Sequence, residues 1–455
     1  MIAIIVVIYT MRIPIPPPAL HELTANMAQN SGKLLTAIEL VASGTVRADI
    51  DGVYRHWDTL RHVNVPAGVD IDHETWWLAI KIARQGQRRE IPLRTTANRP
   101  MWLSFSDLFI PYLRQIDQLA AGNMQGPPEL RNAETRDRYL FRSLSEEAIT
   151  SSQLEGASTT YDVAREMLRT NRPARSRGEH MIMNNFLAMQ RVRELTSENL
   201  TPSLIFELHR IVTNGTLNDP AEAGRFRLDS DDIVVKDESD NILHRPPHAS
   251  ELSTRLNALC DFANETSAPF MHPVVQSILI HFWLAYDHPF TDGNGRTARL
   301  LFYWNMLRHG YWLTEYLSIS RELRIAPAKY ARAYLYVETD EHDVTYFILN
   351  QLHIVQRSIQ TLLDYLRSKD QQLTQSIQRL RHIRVNNKPL NHRQHALLMH
   401  AMKHPFFRYT INSHQTSHGI SYLTARSDLQ SLADAGLLST EKVGKAIHFI
   451  APPIK

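Results

Sequence analysis

The sequence predicts a mostly α-helical, multidomain protein, and three observations carry that expectation. Apolar residues recur at helical spacing over long stretches: Leu113, Ile116 and Leu119 early, Leu204, Ile205, Leu208 and Val212 in the middle, Leu349, Leu352, Leu362 and Leu366 later. Strand-like runs are short, the clearest being Ile233-Val234-Val235 and Ile242-Leu243-His244 around a polar turn. At 455 residues the chain also exceeds what one hydrophobic core fills, so two to four domains are expected.

Composition narrows the function classes. Lys+Arg number 50 against 47 Asp+Glu, so no global charge calls for nucleic acid or an anionic membrane. The 22 histidines form no Cys/His cluster with metal-ligand spacing and read as surface or core residues. Cys260 is the only cysteine, which excludes internal disulfides, fits a reducing cytoplasm and reads as a small buried hydrophobe. The apolar start, Met1 to Tyr9, is too short to span a bilayer and lacks a basic leader and a cleavage site, so no membrane association is expected. Met11 is an alternative start.

In chain order, residues 1–100 form an N-terminal region whose role the sequence does not reveal. Pro14 to Pro18 excludes an ordinary helix and leaves a partly ordered arm, after which helical spacing resumes up to Ala42. Trp57, Trp76 and Trp77 read as buried anchors of a small α+β module. Residues 101–195 read as helical from Leu103 to Leu195. One of these helices ends at Leu154-Glu155-Gly156, with Gly156 placed just past its C-terminal cap. Glu155 there opposes the helix dipole and needs a cation nearby.

Residues 196–385 hold the richest stretch. An amphipathic helix over 204–212 stops at Asn214-Gly215, a β-hairpin follows and ends at Pro246-Pro247, and the apolar helix Val274 to Tyr286 delivers His288. Then comes His288-Pro289-Phe290-Thr291-Asp292-Gly293-Asn294-Gly295-Arg296-Thr297-Ala298-Arg299. Gly293, Asn294 and Gly295 can bring backbone N–H groups to an anion, and the helix that follows aims its positive end at the same place. Phosphate is the natural guest. His288 can take a proton near neutral pH, Asp292 offers a hard oxygen suited to Mg²⁺, and Arg296 and Arg299, one turn apart, can clamp phosphate oxygens. Phe290 faces inward as an anchor. His281 reads as a hydrogen-bonded core histidine, and Tyr330, Tyr334 and Tyr336 as packing residues that could also stack on a base.

The full string resembles the signature of the Fic (filamentation induced by cAMP) family, His-Pro-Phe-x-(Asp/Glu)-Gly-Asn-Gly-Arg-x-x-Arg, at every constrained position. Asp287, where that family commonly has an aliphatic residue, is a mild departure. The resemblance implies a Fic-type helical core with ATP and Mg²⁺ as substrate and cofactor. The implied reaction is transfer of AMP to a hydroxyl of a protein target, the chain itself included. It implies His288 as the base, Asp292 as the metal ligand, Gly293, Asn294 and Gly295 as the phosphate cradle, and Arg296 and Arg299 on the outer oxygens. Ser151-x-x-x-Glu155-Gly156 is similar to the family's inhibitory motif, which implies an N-terminal inhibitory helix whose Glu155 pairs with Arg299. The hairpin corresponds to the family's flap, which registers a target by strand addition, and it assigns Val234, Val235 and Leu243 to that flap.

Two rival readings remain at this point. The same site could remove AMP from a modified protein, with Glu155 aligning a water. Alternatively, a transcriptional regulator could carry the domain as a nucleotide sensor, although a pure sensor has no need of His288.

Residues 386–455 begin a new module. A helix over Arg393 to Met402, a short strand, a short helix over Ser413 to Gly419, a longer helix over Tyr422 to Ala435 and a β-wing around Val443-Gly444-Lys445 resemble a winged helix-turn-helix. Arg426 and Lys445 would touch DNA phosphates; with so few basic residues, a protein contact or a homodimer is an equal expectation.

Overall fold

The computed structural model describes residues 4–7, 11–19, 23, 31–122, 133–265, 270–385, 387–403, 407–443 and 446–450. It is mostly α-helical and divides into Met1–Leu362 and Leu363–Lys455.

The tryptophan-rich region of the first unit is indeed α+β. Helices α1 (Ser31–Ala42) and α2 (His73–Gln85) pack together beside a hairpin of β2 (Arg88–Arg94) and β3 (Pro100–Ser104). Asp72 caps α2 by accepting from the Thr75 N–H at 2.8 Å. Trp76, Trp77, Leu78 and Ile80 then bury against Leu40 and Leu60. The same helix buries two cations. Lys81 Nζ reaches Asp340 at 2.8 Å and Glu341 at 3.0 Å, and Arg84 Nη1 donates to the Tyr346 hydroxyl at 2.7 Å. Removing one partner of such a buried pair costs about 3–5 kcal/mol, so these contacts fasten α2 to the corner at 340–343. The Trp102 indole N–H adds a hydrogen bond to the Glu341 carbonyl at 2.9 Å. Leu103 therefore lies in a strand, and the helical run expected from it begins only at Phe109. The β2–β3 pairing, invisible to local periodicity, decides this.

Helices α3 (Phe109–Ala120), α4 (Ala133–Leu154), α5 (Tyr161–Thr170), α6 (Arg177–Glu194) and α7 (Pro202–Thr213) follow. Next come strands β4 (Val234–Asp237) and β5 (Ile242–His244) and helix α8 (Leu252–Ala263). The centre is the pair α9 (Pro273–Asp287) and α10 (Asn294–Arg308), with α6 and α7 against α10 and α8 against α9. Phe282, Phe302, Tyr303 and Trp304 are fully buried there, each contributing roughly 1.5–3 kcal/mol of hydrophobic stabilisation. Helices α11 (Ile319–Ile325), α12 (Pro327–Thr339) and α13 (Thr345–His382) complete the unit, whose boundary falls within α13.

The hairpin has a third strand. β1 (Ile4–Val7) pairs parallel with β4, Ile4 opposite Val234 and Val7 opposite Asp237, giving the order β1-β4-β5. Part of the expected N-terminal arm is thus a strand, because a two-stranded hairpin is marginal alone and Ile4 to Val7 supplies a strand of high β-propensity.

In the second unit, α14 (His392–Lys403), α15 (Ile411–His418) and α16 (Tyr422–Asp434) accompany a three-stranded sheet. Its strands are β6 (Arg408–Tyr409), β7 (Ser439–Val443) and β8 (Ala446–Ile450), in the order β6-β8-β7. Leu397, Leu398, Leu429, Leu432 and Phe449 form its core. Arg426 is exposed on α16, and Lys445 lies outside the described residues. Among the described residues no helix is long and apolar enough to cross a membrane.

Candidate active site

The site is built where α9 ends and α10 begins. His288 caps α9 in the left-handed region, φ +47, a conformation that costs a non-glycine residue about 1–2 kcal/mol. Arg227 holds it there: its Nε donates to the His288 carbonyl at 2.8 Å, its backbone N–H to the Pro289 carbonyl at 2.9 Å, and its Nη2 to the Pro247 carbonyl. The imidazole Nδ1 lies 3.2 Å from the Ala285 carbonyl, which sets the Nδ1–H tautomer and leaves the buried Nε2 with no partner. Burial pushes its pKa down to about 3, so the ring is neutral at physiological pH with a lone pair to accept a proton. The ring borders a cavity of about 250 Å³.

The loop is fixed from below. Phe290 is buried and stacks on His209 of α7, ring centroids 3.7 Å apart. His209 Nε2 donates to the Asp292 carbonyl at 2.8 Å and its Nδ1 accepts the Gly224 N–H at 2.9 Å, while burial lowers its pKa to about 4. Gly293 has φ +85, and a Cβ there would stand 2.8 Å from the Thr213 methyl, so only glycine fits. The Asn294 side chain points inward, its Oδ1 accepting from the Phe290 N–H at 3.0 Å and its Nδ2 donating to the Phe290 carbonyl at 2.8 Å. Asn294 can therefore serve a phosphate only through its backbone.

Asp292 and Arg296 already have partners. Asp292 Oδ1 accepts from Arg296 Nη2 at 3.3 Å, and Oδ2 from Arg177 Nη2 at 3.0 Å. Arg296 is fully buried and spends Nη1 on the Val212 carbonyl at 2.8 Å, while its Nε has no partner. Its first duty is to hold the loop. Arg177, by contrast, is an exposed arm that an arriving cation or phosphate can displace. Among the described residues no three His, Cys, Asp or Glu side chains gather as a metal cage. Mg²⁺ needs none, since it keeps waters and is commonly held by one carboxylate plus substrate phosphates, a role Asp292 fits.

Glu155 lies opposite. Helix α4 closes in a Schellman arrangement, Ala157 N–H to the Ser152 carbonyl at 3.0 Å and Gly156 N–H to the Gln153 carbonyl at 3.1 Å, with Gly156 at φ +87. That turn aims Glu155 at the start of α10. Its Oε1 is 2.8 Å from Arg299 Nη2, and a Cβ on Gly295 would come within 2.1 Å of the same oxygen. The carboxylate thus occupies the anion seat at the positive end of α10. Arg299 also donates from Nε to Ser151 Oγ at 2.9 Å; burial works against its charge, yet the adjacent Glu155 keeps its pKa above the usual range.

The sequence-derived residues His288, Gly295, Arg299, Glu155, Val235 and Leu243 all border the cavity, whereas Val234, on the alternate face of β4, does not. Tyr330 and Tyr334 line it, while Tyr336 stacks on His56 instead, at 4.3 Å between centroids. His281 is a core residue, 3.0 Å from the Tyr330 hydroxyl, with its pKa lowered by burial to about 3. Asp287 is buried and accepts from Arg255 Nε at 2.8 Å. His209, Arg227 and Arg177 were missed by sequence reasoning. Each acts through the backbone or side chains of a distant loop, and only the Gly224-to-Arg227 stretch offered a local signal.

Residues 199–306 match the family model described as Fic/DOC family. This part of the chain is a Fic domain. A protein adenylyltransferase Fic of Nematostella vectensis is 34% identical over 170 residues, 35% of this chain and 37% of the relative. One of Drosophila willistoni is 33% identical over 163 residues, 35% and 31% of the respective chains. The chain therefore spans about a third of the length of these relatives. A solved Fic family protein of Desulfovibrio desulfuricans is 18% identical with a TM-score of 0.49, covering 76% of this chain and 96% of that one. A Fic domain containing signaling protein of Bacteroides thetaiotaomicron is 18% identical with a TM-score of 0.40, covering 57% and 97%. The match to the Fic domain includes His288, Asp292, Arg296, Arg299 and both strands of the hairpin, but not Glu155.

Proposed function

We propose that this chain is a protein adenylyltransferase, transferring AMP from ATP to a hydroxyl of a protein, itself included, and that Glu155 holds it in an inhibited state. The observation that carries this reading is the shared cavity: His288, neutral and with an Nε2 that has no hydrogen-bond partner, borders the same space as an anion seat that Glu155 now fills beside Arg299.

In the reaction, His288 Nε2 takes the proton of the target hydroxyl while its oxygen bonds to the α-phosphorus of ATP. The bond between that phosphorus and the bridging α–β oxygen breaks, and pyrophosphate leaves with the electron pair. The N-terminal backbone of α10 and Arg299 bind phosphate oxygens once Glu155 withdraws, with Arg296 keeping the loop in shape. Mg²⁺ held by Asp292 would neutralise phosphate charge. Val235 and Leu243 border the site from the hairpin, and because β1 covers one edge of β4, the edge left to a target strand is that of β5.

A cytoplasmic setting is supported by the lone Cys260, buried and with its thiol pushed up to about 12. The module over 386–455 is proposed as a winged helix-turn-helix that contacts DNA or protein; its three helices and antiparallel wing support that reading. Mass spectrometry of the purified chain after treatment with ATP and Mg²⁺ tests the activity. One added AMP on a Ser, Thr or Tyr supports it, and an unmodified Glu155→Gly protein given lysate as target source counts against it.

A further inference from the structure

His244 is the last residue of β5, and both of its ring nitrogens are engaged. Nδ1 lies 2.6 Å from Oε1 of Glu338 on α12, and Nε2 lies 2.7 Å from the carbonyl of Tyr286 in the last turn of α9. The ring also leans on Tyr286, centroids 4.6 Å apart. His244, Glu338, Tyr286 and His288 all border the one cavity. A single side chain therefore ties the hairpin to the helix that delivers the base and to the helix that forms the facing wall.

Carboxylate and carbonyl only accept hydrogen bonds, so a neutral imidazole, with one N–H, satisfies one of them and a doubly protonated ring satisfies both. The other titratable groups around it do not compete for Glu338. From α9, Asp287 is engaged by Arg255, and His288 is kept neutral by burial. Beyond α12, His342 is also kept toward its neutral form by burial.

We propose that His244 is a positioning residue, a latch that holds the β5 edge over the cavity in the register that transfer requires. The proposal rests on reading the hairpin as the element that receives the target strand.

Amide hydrogen exchange of residues 233–244 in the full chain, corrected for intrinsic rates, tests the latch apart from the chemistry. In His244→Ala, protection at Val234 to Asp237 should fall at least about tenfold while α9 and α10 keep theirs, and Glu338→Gln, which retains an acceptor but loses the charge, should fall in between. Unchanged hairpin protection, or equal loss across α9, would overturn the latch. In a Glu155→Gly background, adding His244→Ala should leave ATP affinity within about twofold and lower transfer at least about tenfold; undiminished transfer would overturn the positioning role. If Glu155→Gly itself transfers nothing, the adenylyltransferase reading fails and the exchange data alone decide the latch.

Discussion

Replacing Glu155 with glycine removes the carboxylate that fills the anion seat, and the structure sets opposite signs for two consequences. Without nucleotide, the Arg299 guanidinium loses a partner at 2.8 Å but keeps Ser151 Oγ at 2.9 Å and the Ser151 carbonyl at 3.1 Å. Breaking a buried pair costs about 3–5 kcal/mol; the two surviving bonds and the partial exposure of Glu155 place this case near or below the lower end. The apo variant should therefore melt a few degrees lower than wild type. With ATP, a phosphate replaces the carboxylate against Arg299 and α10, so the nucleotide should raise the variant's melting temperature more than the wild type's. Transfer should rise by about a hundredfold, the penalty typical of a reacting atom held about an ångström out of line. Thermal melts with and without ATP, and self-modification followed by mass spectrometry, measure both. Equal activity together with an equal nucleotide shift in the two proteins would refute the placement of Glu155 in the phosphate seat. Arg299→Ala should not mimic the activation, because it removes the clamp as well as the inhibitor's partner.

Three further outcomes follow from the same geometry. His288→Ala in the Glu155→Gly protein should abolish transfer while leaving ATP affinity within a few-fold, since the imidazole acts on the incoming hydroxyl; transfer rate against calorimetric affinity checks this. Gly295→Ala places a Cβ where the Glu155 oxygen sits, 2.1 Å away, so in the Glu155→Gly background it should obstruct the phosphate seat and weaken ATP binding at least about tenfold. The folded-state pKa of His281 is depressed to about 3 against an unfolded value near 6.5, so the unfolded chain binds more protons and stability falls as pH drops below about 6.5. Replacing it by Gln should remove up to about 1.4 kcal/mol per pH unit of that dependence between about pH 6 and 5, read from denaturant unfolding of both proteins.

A phosphate-handling loop was legible because its residues lie in one contiguous string, from His288 to Arg299; the adenylyl chemistry proposed for it came from the resemblance that the string carries. The need of Glu155 for a cation was legible for a different reason, since a carboxylate at a helix C-terminus lacks local compensation; that the cation would be Arg299 came from the resemblance to the family's inhibitory motif. What could not be read depends on tertiary approach. Arg227 reaches the His288 carbonyl across 61 positions, and β1 joins a hairpin some 230 residues away, neither leaving a local periodic signal. Lys81 and Arg84 carry no local mark of burial, because their carboxylate and phenol partners lie at 340–346, far along the chain. The inward turn of Asn294 was equally hidden, since a polar side chain in a glycine-flanked loop reads as a ligand contact. Here it closes the loop on Phe290 instead.

The central claim is that this site moves the adenylyl group. The Glu155→Gly chain, incubated with Mg²⁺ and ATP labelled either at the α- or at the γ-phosphate, should acquire stable protein-bound label from the α position alone, and adding His288→Ala should eliminate it. Label entering from the γ-phosphate, or α-label that persists without His288, would contradict the account.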